Sequence, residues 1–124
     1  MQQLDIFTPI APTAPANHAR GATLEEQFAA FHAANPHVYQ ALRRHALAIV
    51  RRGQRKIGIK MLFEVLRWQH AMTTTDAAST FKLNNNYAPF YSRLLMDNEP
   101  ELDGAFETRT QTWQLAEIND GQYA

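Results

Sequence analysis

Apolar residues recur at helical spacing in several stretches of the chain, separated by polar or proline-rich segments. The first such stretch is "TLEEQFAAFHAAN", where Leu24, Phe28 and Phe31 share one helical face. Thr23 followed by Glu26 is a capping-box pattern and marks the helix start. Asn35-Pro36 ends this helix and opens the next, with Asn35 as cap and Pro36 as the first helical residue. The second helix, "PHVYQALRRHALAIVRR", carries the stripe Val38, Leu42, Ala46, Ile49 and Val50. It runs to about Arg52, and Gly53 stops it. After the turn "GQRK", a third helix, "GIKMLFEVLRWQHAM", buries Ile59, Leu62, Phe63 and Leu66. Core packing is the expected place for Trp68.

"TTTDAAST" reads as a polar loop and "FKL" as a short strand. "NNNYAPFYSRLLMDN" reads as a fourth helix capped by Asn84 or Asn85, with Pro89 in its first turn. Leu94, Leu95 and Phe90 face the core. Pro100 permits a last short turn over "PELDGAF", and the pattern of the final residues fits either a strand or an extended tail. Residues 8–22 have almost no periodicity. Pro9, Pro12 and Pro15 recur every third residue, as in an extended, semi-rigid linker.

The expected fold is therefore mainly α, a compact bundle of four to five helices with an extended N-terminal tail. The order of elements also fits a helix-turn-helix or winged-helix-like arrangement. Residues 1–22 form an N-terminal peptide and linker, 23–110 the helical domain and 111–124 a C-terminal tail. The length of 124 residues supports one core and not two.

Composition removes several classes of function. With no cysteine there is no disulfide scaffold, cysteine-ligated zinc or thiol nucleophile. No apolar run is long enough to span a bilayer, and the N-terminus lacks a secretory pattern, so no membrane is expected and the cytoplasm is the expected compartment. The five histidines show no ligand spacing with a carboxylate, which argues against a metal site. Glu64, His70, Asp76, Ser79 and Ser92 have no spacing that requires catalysis, and no glycine-rich phosphate loop is present. The chain reads as a non-enzyme without a cofactor.

The net charge is zero, but the distribution is uneven: eight of the 12 Lys and Arg residues lie between Arg43 and Arg67, and five of the 12 acids between Asp97 and Glu107. Arg43, Arg44, Arg51, Arg52, Arg55, Lys56 and Lys60 surround the junction of the second and third helices. Several cations within reach of adjacent phosphates are what a nucleic acid requires, and arginine adds bidentate contacts. The alternative is a solvated helix face. The fourth helix is the candidate for reading bases. Lys82, Asn84, Asn85, Asn86, Tyr87, Tyr91 and Arg93 offer cations, amides that pair with adenine edges, and rings that stack. A turn and cap for the asparagines, and a core position for Tyr87 or Tyr91, are the structural alternatives. The acidic segment, from Asp97 to Asp103, either repels DNA from its face or is a solvated turn.

One short stretch is more specific. "QLDIF", Gln3 to Phe7, resembles the motif by which bacterial replication and repair proteins bind the DNA sliding clamp, usually Gln-Leu-Ser/Asp-Leu-Phe. Gln3, Leu4, Asp5 and Phe7 match it, and Ile6 replaces a leucine. The resemblance implies that Ile6 and Phe7 fill an apolar pocket, Leu4 fills its rim, and the Gln3 amide fixes register. The alternative is that Leu4, Ile6 and Phe7 pack on the domain's own surface or form an edge strand.

Residues 24–110, and most specifically Phe31 to Pro36, Phe81 to Tyr91 and Phe106 to Arg109, resemble a family of small helical proteins of bacteriophages and prophages. That family has no assigned activity, so the resemblance implies a bacterial host as the setting and no mechanism. The combined expectation is a phage-type accessory protein that docks on the clamp through its N-terminus and contacts DNA through its basic helices, modulating replication. The alternatives are a helix-turn-helix or winged-helix transcriptional regulator, acting as a dimer, and a protein-only inhibitor of a host factor.

Overall fold

The computed structural model describes residues 8–107. Four helices carry the fold: α1 (Leu24–Ala34), α2 (Pro36–Arg51), α3 (Ile59–Thr73) and α4 (Ala88–Asn98). Two short 3-10 turns, Asn85–Tyr87 and Pro100–Leu102, precede and follow α4. The fold is mainly α, as the hydrophobic pattern predicts, with no strand among the described residues. The C-terminal tail, residues 111–124, lies outside them.

The helix ends follow from local chemistry. Thr23 and Glu26 form the expected capping box: the Glu26 N–H donates to Thr23 Oγ1 at 3.1 Å and the Thr23 N–H to Glu26 Oε1 at 2.8 Å. The carboxylate of Glu26 accepts this bond, which holds its pKa below the ordinary value. Pro36 opens α2. Gly53, with a φ of 102°, takes the left-handed conformation that ends it. The fourth helix is shorter than its sequence pattern suggests. Asn84 Oδ1 accepts from the Asn86 N–H at 2.9 Å and caps a 3-10 turn, and α4 proper starts at Ala88 with Pro89 in its first turn.

The core forms where α2, α3 and α4 meet. Val38, Leu42, Ala46, Leu62, Phe63, Leu66, Tyr91, Leu95 and Leu102 are fully buried. Each large apolar side chain so buried contributes roughly 1.5–3 kcal/mol. Ile49, Val50, Ile59, Phe90 and Leu94 pack at its edge, half-buried. Tyr91 is the largest residue inside, and the ring of Phe28 stands edge-on to it at 4.8 Å between centroids. Its hydroxyl is buried without a hydrogen-bond partner among the described residues, and burial pushes its pKa up. Trp68 is not in the core: it is 40% exposed, because α3 turns Leu66, Gln69 and His70 inward. Gln69 Oε1 and His45 Nε2 lie 3.2 Å apart, which lets polar side chains occupy that face.

The predicted strand over Phe81–Leu83 does not form. That stretch meets the N-terminal segment instead. The Thr13 N–H donates to the Thr80 carbonyl at 3.0 Å, and the Lys82 N–H to Thr13 Oγ1 at 2.7 Å. Residues 8–16 form no regular secondary structure and make a strap seated on the body rather than a linker standing off it. Ile10 is buried in the core cluster, and His37 Nε2 lies 3.1 Å from the Ala11 carbonyl. The fully buried Asn35 amide binds Ala14 through both its backbone groups. Asn35 occupies the cap position of α2, yet its side chain makes no cap bond because the strap takes it.

At the other end of the described chain, Ile57 and Phe106 form a single parallel bridge, and the Ile57 N–H donates to the Ala105 carbonyl at 2.8 Å. No hairpin that could serve as a wing occurs among the described residues. The connection between α2 and α3, residues 52–58, is longer than the turn of a helix-turn-helix unit.

Candidate functional site

The seven cations expected at the α2–α3 junction fall into two groups. Arg43 Nε lies 2.9 Å from Glu99 Oε2. Arg51 forms a bidentate pair with Glu101, at 2.9 and 2.7 Å. Lys56 Nζ donates to the Gly104 carbonyl at 2.9 Å. The segment after α4 therefore folds back and pairs with the basic helix rather than standing apart from it. The two Arg51 bonds hold the Glu101 carboxyl below its ordinary range, and both Arg43 and Arg51 are shifted up by their carboxylate partners. Arg44, Arg52, Arg55 and Lys60 form the second group. They are exposed and make no ion pair among the described residues.

The Asn-rich stretch lies just before α4, not along it. Asn84 serves as the cap of the 3-10 turn. Asn85 Oδ1 accepts from the Arg67 guanidinium at 2.6 Å. Asn86 is exposed. Tyr87 is buried, with its ring 5.2 Å from that of Phe31. Arg93 lies on α4 over the Phe90 ring, 5.7 Å from its centroid.

Lys82, Asn84 and Tyr87 do meet at one place. They line a groove of about 630 Å³ between the strap and the turn that leads into α4. None of the seven α2–α3 cations lines it. Sequence reasoning missed two contributors, Arg67 on α3 and His18 beyond the strap. Arg67 shapes the wall: one guanidinium nitrogen donates to the Leu83 carbonyl and to Asn85 Oδ1, each at 2.6 Å, and another pairs with Glu64. No carboxylate among the described residues lines the groove. The signal that could have found it is the arginine on α3, set apart from the junction cluster and facing a run of side-chain amides.

Catalytic and metal constellations are sparse. His70 Nε2 lies 2.9 Å from Ser79 Oγ, but no third residue bonds this pair among the interactions described. No group of three or more potential metal ligands occurs among the described residues. No helix among them is long and apolar enough to cross a membrane. The peptide Gln3 to Phe7 lies outside the described residues. Comparison with protein-family models, curated proteins and solved structures finds no match.

Proposed function

We propose that this chain is a clamp-tethered accessory protein: Gln3, Leu4, Asp5, Ile6 and Phe7 dock on the bacterial DNA sliding clamp, and the folded body contacts nucleic acid nearby. The observation that carries this reading is the seat of the strap. Ile10 is buried, and the next residues are bonded to the body through Ala11, Thr13 and Ala14. The residues that follow the docking peptide are therefore anchored on the body, which supports a fixed rather than a freely swinging tether. The motif supplies the specificity, with two or three apolar side chains worth roughly 1.5–3 kcal/mol each before ordering losses. Arg44, Arg52, Arg55 and Lys60, which have no carboxylate partner among the described residues, support the contact with phosphates. The phage-type setting rests on the resemblance in sequence alone.

The test is a binding measurement between the full chain and a purified bacterial clamp, with and without DNA threaded through it. Micromolar affinity is expected, together with its loss in a chain carrying both Gln3→Ala and Phe7→Ala. If the double variant binds as well as the parent chain, the clamp reading fails. Clamp binding with no nucleic-acid affinity even at low salt would leave the protein-only inhibitor as the function.

A further inference from the structure

We propose that the groove beneath the strap is a binding site for a nucleotide unit, a flat base with its phosphate, taken either from a single strand or as a free nucleotide. The inference rests on the reading that the body contacts nucleic acid, and it narrows that contact to one place and one form of ligand.

Three features of the groove carry it. The first is shape and size: about 630 Å³ lies in the range of small-molecule pockets, which run from roughly 300 to 1,000 Å³. The α2–α3 surface offers exposed cations along α2, on the turn after it and at the start of α3, whereas this groove has walls. The second is an aromatic ring in its lining. Phe31 and Tyr87 are closed into the core behind the groove, whereas Phe81 is only half-buried, packed against His70 at 5.7 Å between centroids. Aromatic platforms of this kind accept any base, because every base has a flat face.

The third is charge. Among the described residues the ionisable side chains of the lining are His18, Arg67 and Lys82, with no acid, so the groove is complementary to an anion. Arg67 is engaged by Glu64, Leu83 and Asn85, and its role is to hold the turn in position. Lys82 is different. Its backbone N–H is fixed on Thr13, so its place beside the strap is set, while its ammonium group makes no hydrogen bond or ion pair among the described residues. Lys82 is thus the phosphate ligand, and the half-buried Phe81 ring receives the base. A continuous duplex keeps its bases stacked and cannot deliver one into a walled groove without unpairing it. A single strand can.

Fluorescence anisotropy with the full chain and a short labelled oligothymidine tests this, with a duplex of the same length as comparator. The single strand is expected to bind more tightly than the duplex. Lys82→Ala is expected to weaken it about threefold to tenfold and to lower the salt slope by about one, with Lys82→Arg retaining most of the binding. Lys82 is exposed, so neither change disturbs the core. Thymidine monophosphate that displaces the strand identifies the free nucleotide as sufficient; failure to displace it identifies the strand as the source. If Lys82→Ala has no effect while Arg44→Ala with Arg52→Ala abolishes binding, the groove is overturned and the broader nucleic-acid reading stands. If neither single strand nor duplex binds at low salt, both fall.

Discussion

The side-chain amide of Asn35 grips the backbone of Ala14 from both sides. Its Oδ1 accepts from the Ala14 N–H at 2.7 Å, and its Nδ2 donates to the Ala14 carbonyl at 3.0 Å. A third bond, from Nδ2 to the Phe31 carbonyl at 3.2 Å, ties the same amide to the end of α1. One fully buried side chain thus does for the strap what a neighbouring strand would do, satisfying both polar groups of a residue that belongs to no sheet.

Asn35→Ala should therefore unseat the strap. It leaves the Ala14 amide and carbonyl without their partner, and stability is expected to fall by about 2–3 kcal/mol in denaturant titration. Hydrogen exchange should speed up at the Thr13, Ala14 and Lys82 amides more than in α3. Asn35→Asp keeps the acceptor and removes the donor, so it should also destabilise. Equal protection of all these amides in Asn35→Ala would show that Ile10 and the bonds of Ala11 and Thr13 hold the strap without Asn35.

Tyr91→Phe is expected to be neutral or to stabilise by up to about 1 kcal/mol. The substitution keeps the ring against Phe28 and Phe63 and removes a buried hydroxyl that has no partner among the described residues. The contrast is Leu42→Ala at a fully buried position of α2, expected to cost about 2–5 kcal/mol. Thermal and chemical unfolding of the two variants side by side checks both.

His32 gives stability a pH dependence of known sign. Burial lowers its pKa from the ordinary 6.5, and its Nδ1 is buried without a partner among the described residues. Below that ordinary value the unfolded chain binds a proton that the folded chain resists, so stability is lost as pH falls from 7 towards 5. His32→Phe, which can keep the stack on Phe28 at 5.8 Å, should flatten this slope. An unchanged slope would place the titration on other groups.

Glu99→Gln combined with Glu101→Gln releases Arg43 and Arg51 from their carboxylates. The double variant should bind duplex DNA more tightly than the parent chain at low salt, with a steeper dependence on salt concentration. Acid is a poor substitute for this change at Glu101, because the Arg51 bonds hold that carboxyl ionised below its ordinary 4.5. No gain in affinity would mean that this face of α2 does not meet phosphates.

The helices were legible because their signals are local. Thr23 with Glu26, Pro36, Gly53 and the apolar stripes of α2 and α3 each act within a few residues of where they stand. Long-range polar pairing was not legible. Nothing near Asn35 announces that its amide will hold a segment twenty-one residues away, and its position before Pro36 suggests an ordinary cap. The charge clusters were visible as clusters, but the pairing of Arg51 with Glu101 spans fifty residues. Trp68 misled because hydrophobicity alone favours it for the interior, whereas the His45–Gln69 contact makes a polar inner face possible. Of the candidate site, Lys82, Asn84 and Tyr87 were named from sequence, but the wall that makes them a groove comes from a segment that reads as a spacer.

The strap also sets an order of assembly. Its bond from Lys82 to Thr13 joins residues sixty-nine positions apart. During synthesis the N-terminal residues emerge first, and at roughly 5–20 residues per second the partner at Thr80–Lys82 follows only after several seconds. Closing so long a loop before the helices between have packed carries a large entropic penalty. The strap leaves the ribosome ahead of the segment it binds and is therefore the last to find its seat. Until then Ile10 remains uncovered, and the groove that depends on the strap for one wall does not exist.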